Sequence, residues 1–337
     1  MSTGLIVLAV ISKYIPVENA GLWFTMQASA SFVVLAEMGS GYVLMREFSR
    51  RFGEYESSQK LKNHGIGTVD INTISTLRII TVSLSLLIGI LFTVYFILTG
   101  KGELNIEVVG AWLIYVITSS INVALIPNKS YLESSGNLDR EKYISSIGHG
   151  IGALLVILAA IYTESLLAIS AGNGIGILVT FLLLRRECHK TWGAPIASNV
   201  LDMDVKRVLK IGFGFFWINI GVVATKYSYA PIVTGILGGA ALAPLFIVTK
   251  VFSTVSTAIT IFVTSERALI ARFWGAKNTK LATNHFKKLL IIIGVLSISL
   301  GGVVAVTSAI LIPDLLGDSY SLPYVLFIIL FIDWFKY

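Results

Sequence analysis

Charge is scarce in this chain. Asp, Glu, Lys and Arg make up 13% of its 337 residues, where a soluble protein carries about a quarter. That shortage excludes the two soluble domains that the length alone would allow. Cysteine is scarcer still. Cys188 stands alone, which excludes an internal disulfide framework and fits a reduced, cytoplasmic setting. No spacing links Cys188, His64, His189 or His285 as a metal set. No P-loop, Ser-His-Asp set or paired-carboxylate motif occurs. No enzymatic activity, cofactor or metal is therefore expected. The net charge of +7 does not point to nucleic acid, because the bases lie in short connections between apolar runs.

Apolar residues are what is there: 55% of the chain. Most apolar runs are about 20 residues long, enough for a helix to cross roughly 30 Å of hydrocarbon. The first, Gly4–Ile11, is short and lacks the basic start of a signal peptide. It reads as the remaining end of a first helix. Then follow Gly21–Met45, Ile79–Leu98, Ile106–Ile126, Tyr143–Tyr162, Leu166–Leu184, Ile211–Tyr227, roughly Ile236–Val263, Leu289–Ile312 and Leu322–Ile332. The expectation is an all-α polytopic membrane protein with about ten membrane segments, the first and last incomplete.

Bases alternate between the connections. Those after the second, fourth, sixth and eighth segments carry 6, 3, 6 and 6 of the 26 lysines and arginines. The opposite connections are short and poor in bases, as at Thr163-Glu164 and 313–321. The positive-inside rule then places the even connections and the N-terminus in the cytoplasm. Arg46, Arg78 and Arg267 mark helix ends in this reading.

A shift of 222 residues lays Trp23-Phe24 over Leu245-Phe246, Arg50 over Arg272 and Gly53 over Gly275. TLRIITVSLSLLIGILF (76–92) likewise resembles FKKLLIIIGVLSISLGG (286–302). The implied unit is six helices, an even number, so both copies enter from one side. Parallel repeats of this kind are common in transporters. The expected architecture is two six-helix lobes around a central cavity, residues 1–200 and an incomplete 201–337.

GLWFTMQASASFVVLAEMGSGYVLMREFSR (21–50) resembles the second helix of the polysaccharide and oligosaccharide-lipid flippases, with an acidic residue two before a glycine and then an arginine. IVTGILGGAALAPLFIVTKVF (232–252) resembles their eighth helix, and LIPDLLGDSYSLPYVLFIIL (311–330) the stretch after their ninth. In loop size the chain is most similar to the O-antigen flippases, within the multidrug/oligosaccharidyl-lipid/polysaccharide exporter superfamily. The resemblance implies twelve or more helices in two lobes and a cavity open to one side at a time. Against that pattern the first helix is short and about two final helices are missing.

Ionisable groups inside spans are costly and are functional candidates. Glu37 lies nine residues before Arg46, about 13 Å inward. It is either a proton, cation or gate site, or a carboxyl that bonds a neighbouring helix; in both cases it faces protein or cavity rather than lipid. Lys250 is either a cavity cation that attracts pyrophosphate, or a partner of an acid or of carbonyls. By the repeat it lies nine residues along the axis from the Glu37 equivalent, Ile259, so a direct pair is not expected. Lys226, beside Tyr227, ends the seventh segment as an interfacial anchor or a sugar contact at the rim. GHGIG (148–152) and GNGIG (172–176) are G-x-x-x-G packing motifs on consecutive helices. His149 and Asn173 within them are candidates for hydrogen bonds, and His149 for titration.

The resemblance implies a flippase moving an undecaprenyl-pyrophosphate-linked oligosaccharide, an O-antigen or similar repeat unit, across the bacterial inner membrane by alternating access. Its partners would be that lipid-linked oligosaccharide, membrane lipids, and a polysaccharide polymerase and chain-length proteins. Two alternatives stand beside it: a cation-coupled drug or metabolite antiporter of the same superfamily, and a non-transporting fragment of a flippase. A polymerase or ligase would need a sizeable outer loop, which the sequence lacks.

Overall fold

In hydrocarbon, backbone N–H and C=O groups find no water, so an apolar run satisfies them internally as helix. The computed structural model describes residues 2–46, 48, 71–99, 106–134, 137–191, 205–256, 279–317, 320, 322, 323 and 326–328, and among them there is no strand. The helices are α1 (Ser2–Tyr14), α2 (Val17–Val33, continued by a 3-10 turn Val34–Glu37), α3 (Ser40–Arg46), α4 (Ile71–Thr99), α5 (Ile106–Ala124) and α6 (Ile126–Ser134). They continue as α7 (Leu138–Tyr162), α8 (Leu166–Thr191), α9 (Val205–Tyr227), α10 (Tyr229–Leu237), α11 (Gly239–Ser256) and α12 (Thr279–Leu316).

Among the described residues, seven helices are long and apolar enough to cross a membrane, or eight when α2 and α3 count as one bent span. The short α1 precedes them, and most of the tenth expected run lies outside the described residues. So do Glu47, Arg50, Gly53, Ile259, Arg267, Arg272 and Gly275, and with them much of the repeat.

Four boundaries differ from the expectation. The second segment is not one helix: it bends by 50° between α2 and α3. Lys129 is not in a loop, because α5 runs on through α6 to Ser134 as one 29-residue span. Arg78 does not end a helix; it stands two turns inside α4. The seventh segment does not stop at Tyr227. After Ser228 it resumes as α10, and the turn into α11 falls at Gly238, whose φ of 89° suits glycine.

The described residues form two compact units, one of Met1–Gly21 with Gly238–Tyr337, the other Leu22–Leu237. In the first unit, α1 packs on α12. Its core holds Leu8, Ile11, Leu242, Phe246, Val248 and Phe252. Gly21 meets the carbonyl of Gly239, where any Cβ would collide with backbone.

In the second unit the tightest pair is α7 with α8. A Cβ on Gly176 would lie 2.6 Å from the Gly148 carbonyl oxygen and 2.7 Å from Gly152 Cα. Without Cβ atoms the backbones close on each other, which is how helices gain dispersion contacts where lipid supplies no hydrophobic drive. Next, α4 meets α5. The Trp112 indole N–H donates to the Gly89 carbonyl at 3.1 Å, and the Ser85 hydroxyl to Ser120 at 2.8 Å. Polar atoms inside the bilayer are thereby paired across the interface.

Ion pairs gather at the end where α7 begins and α8 finishes. Lys142 reaches Glu133 and Glu141, both at 2.8 Å. Arg140 pairs with Glu187, which also lies 3.6 Å from Lys190. Deeper at this end, Arg78 donates to the Asn128 side chain, while the Cys188 thiol points at the Asn128 carbonyl.

Candidate functional site

The bend in the second span starts from two residues. Met38 and Gly39 both take left-handed conformations, with φ of 51° and 70°. A methionine there is uncommon and strained. The Met38 N–H closes back on the Leu35 carbonyl at 3.0 Å, ending the 3-10 turn, and α3 starts at Ser40 with unpaired amides. Glu37 answers one of them: its Oε1 accepts the Gly41 N–H at 3.1 Å. A carboxylate at a helix N-terminus meets the positive end of the helix dipole.

Neighbouring helices hold this break. Ser130 of α6 donates to the Gly41 carbonyl at 3.1 Å, and Ser134 to the Met45 carbonyl at 2.9 Å. A Cβ on Gly39 would come within 2.7 Å of the Gly212 carbonyl oxygen and of Phe215 Cβ. The Tyr42 and Phe215 rings lie 4.3 Å apart, centroid to centroid. Lys129 stands within electrostatic reach of Glu37, with its ammonium 3.0 Å from the Asn122 side-chain oxygen.

From Gly212 a stripe runs along α9 at intervals of seven residues: Gly212, Asn219, Lys226. Gly212 is buried against the break, whereas Asn219 and Lys226 are exposed. Both exposed groups are polar, in a span that is the least buried of those described. In the other unit, Lys250 is the sole charged residue of α11 and is half-buried. Its own carbonyl accepts the Thr254 hydroxyl at 2.9 Å, and the polar residues Thr249, Ser253, Thr254 and Ser256 share that half of the helix.

A multidrug-resistance MATE family transporter of the MOP superfamily, solved in its inward-facing conformation, is similar to this chain over 98% of this chain and 75% of that one, with a TM-score of 0.68 and 15% identity. The chain has a MATE transporter fold. No family model and no curated protein matches its sequence.

Within this MATE fold the five residues singled out from the sequence sit on five different elements. Glu37 ends the 3-10 turn and caps α3. His149 is exposed on α7, turned away from the glycine seam that its neighbours Gly148 and Gly152 build. Asn173 is half-buried on α8 and contributes its backbone carbonyl near Gly152. Lys226 is inside a 30-residue span instead of at its end. Lys250 belongs to the other unit. Sequence reading passed over Asn219 and Asn122. Asn219 had a signal: it stands midway between Gly212 and Lys226 at a spacing that keeps all three on one helical face. Asn122 had none, because its partner Lys129 looked like a loop residue.

Proposed function

We propose that this chain is a multi-pass transporter that moves an anionic, lipid-linked oligosaccharide across the bacterial inner membrane, the pyrophosphate passing along protein cations while the lipid tail stays in hydrocarbon. The MATE fold supports transport. One observation favours an anionic cargo: Lys226 and Lys250 are cations well inside spans, whereas the carboxylate of Glu37 is engaged with the Gly41 amide. A lysine at the centre of a lipid-facing helix costs about 2.5–3.5 kcal/mol. Exposed polar groups in a span therefore point to a wet path, here along Asn219 and Lys226. Attraction between such a cation and a phosphate strengthens as water is excluded. A polysaccharide polymerase and chain-length proteins are the proposed partners downstream, and the N-terminus is proposed to be cytoplasmic.

The test is a deletion strain. Surface polysaccharide should stop while the lipid-linked repeat accumulates on the cytoplasmic side. Normal surface polysaccharide, with no second flippase present, rules the reading out. A cation-coupled drug antiporter is the second reading, supported by the multidrug transporter that shares the fold. It is favoured instead if expression raises resistance to cationic drugs and the deletion leaves polysaccharide intact.

A further inference from the structure

Ion pairs at the shared end of α7 and α8 are layered. The carboxylates are covered: the Glu187 side chain is 12% exposed and that of Glu141 3%. Their cations are open, with Arg140 64%, Lys142 61% and Lys190 59% exposed. Arg185 and Arg186 are exposed beside them, and Asp139 is the acid at the rim. Exposed ion pairs add little stability. What the covered carboxylates do here is anchor these cations, still largely exposed, at one end of the two helices.

Below these cations each helix carries an apolar stripe. On α7, residues 140, 143, 147, 151, 154 and 158 fall on one face, and Ile151, Leu154 and Leu158 are exposed there below Tyr143 and Arg140. On α8, Ile175, Leu178 and Leu182 are exposed and lead to Arg186. Both stripes thus run along the hydrocarbon to a cation at the same end. A molecule that matches has acyl chains and a phosphate headgroup of negative charge.

We propose that Arg140, Arg186 and Lys190 bind the headgroup of an anionic phospholipid of the surrounding leaflet, its chains lying on the stripes of α7 and α8. Clustered bases at a membrane surface attract such lipids by about 1 kcal/mol each, near fivefold in affinity.

The experiment uses the full chain in nanodiscs of phosphatidylcholine with a minority of phosphatidylglycerol or cardiolipin, and reads retained lipid by native mass spectrometry. Wild type should retain the anionic lipid over phosphatidylcholine. Arg186→Gln, which leaves both Glu187 ion pairs in place, should lower that retention about fivefold, and adding Lys190→Gln about fivefold again. Lys287→Gln with Lys288→Gln, exposed cations on α12, should change nothing. Equal retention of both lipids by wild type overturns the proposal. So does equal loss in the α12 control, which would mean diffuse attraction, or thermal stabilisation by inorganic phosphate equal to that by the lipid.

Discussion

Ser130 donates to the Gly41 carbonyl, and four residues on Ser134 donates to Met45, four residues on from Gly41. The matched spacing makes a two-rung ladder between α6 and α3. It holds the half-helix after the bend to the helix that extends α5. Hydrogen bonds between membrane helices average about 0.6 kcal/mol. Replacing both serines with alanine should therefore lower stability by about 1 kcal/mol, read as a lower melting temperature in detergent, and Thr at both positions should restore it. An unchanged melting curve would show that α3 is held by packing alone.

Gly39 and Met38 make an opposed pair. Gly39→Ala should destabilise, because its φ is 70° and its Cβ would press on Gly212 and Phe215. Met38→Gly should relieve a left-handed methionine, worth about 1 kcal/mol. The check is thermal unfolding of both variants. The same sign of change in both would contradict the bend as described.

Glu37 separates cap from charge. The Gln side-chain oxygen accepts the Gly41 amide as the carboxylate does, so Glu37→Gln should keep both stability and transport. Glu37→Ala should lose about 0.5–1.5 kcal/mol, the usual contribution of one hydrogen bond. Loss of transport in Glu37→Gln with intact folding would instead make the carboxylate a proton or cation site.

At the α7–α8 seam, Gly176→Leu should abolish folded protein on size-exclusion chromatography, since even a Cβ there overlaps Gly148 and Gly152. Gly150→Ala has open space around it and should behave as wild type. So should His149→Ala, whose side chain is exposed.

Lys250→Ala should lower export of the lipid-linked unit while expression and insertion stay normal, and Lys250→Arg should retain more activity than Ala. Removing a lysine from a span favours insertion by about 2.5–3.5 kcal/mol, so a lesion confined to export separates a role in transport from one in folding. Export at the wild-type rate in Lys250→Ala would remove the main residue of the anionic-cargo argument.

The sequence by itself determined that the chain is helical and polytopic, because runs of about 20 apolar residues leave the backbone no alternative in lipid. The glycine seam was legible for the same kind of reason: Gly148, Gly152, Gly172 and Gly176 repeat at the spacing of one helical face. Tertiary structure alone decided where the spans break and what their polar residues meet. The bend at Met38–Gly39 depends on Gly212 and Phe215, about 170 residues away. Continuation of the seventh span past Lys226 is secured by the Tyr95 hydroxyl on the Pro231 carbonyl and by Thr25 on Thr234. Hydropathy counts how much apolar length a segment has. It carries no record of which distant backbone carbonyl a hydroxyl, a carboxylate or a missing Cβ will face.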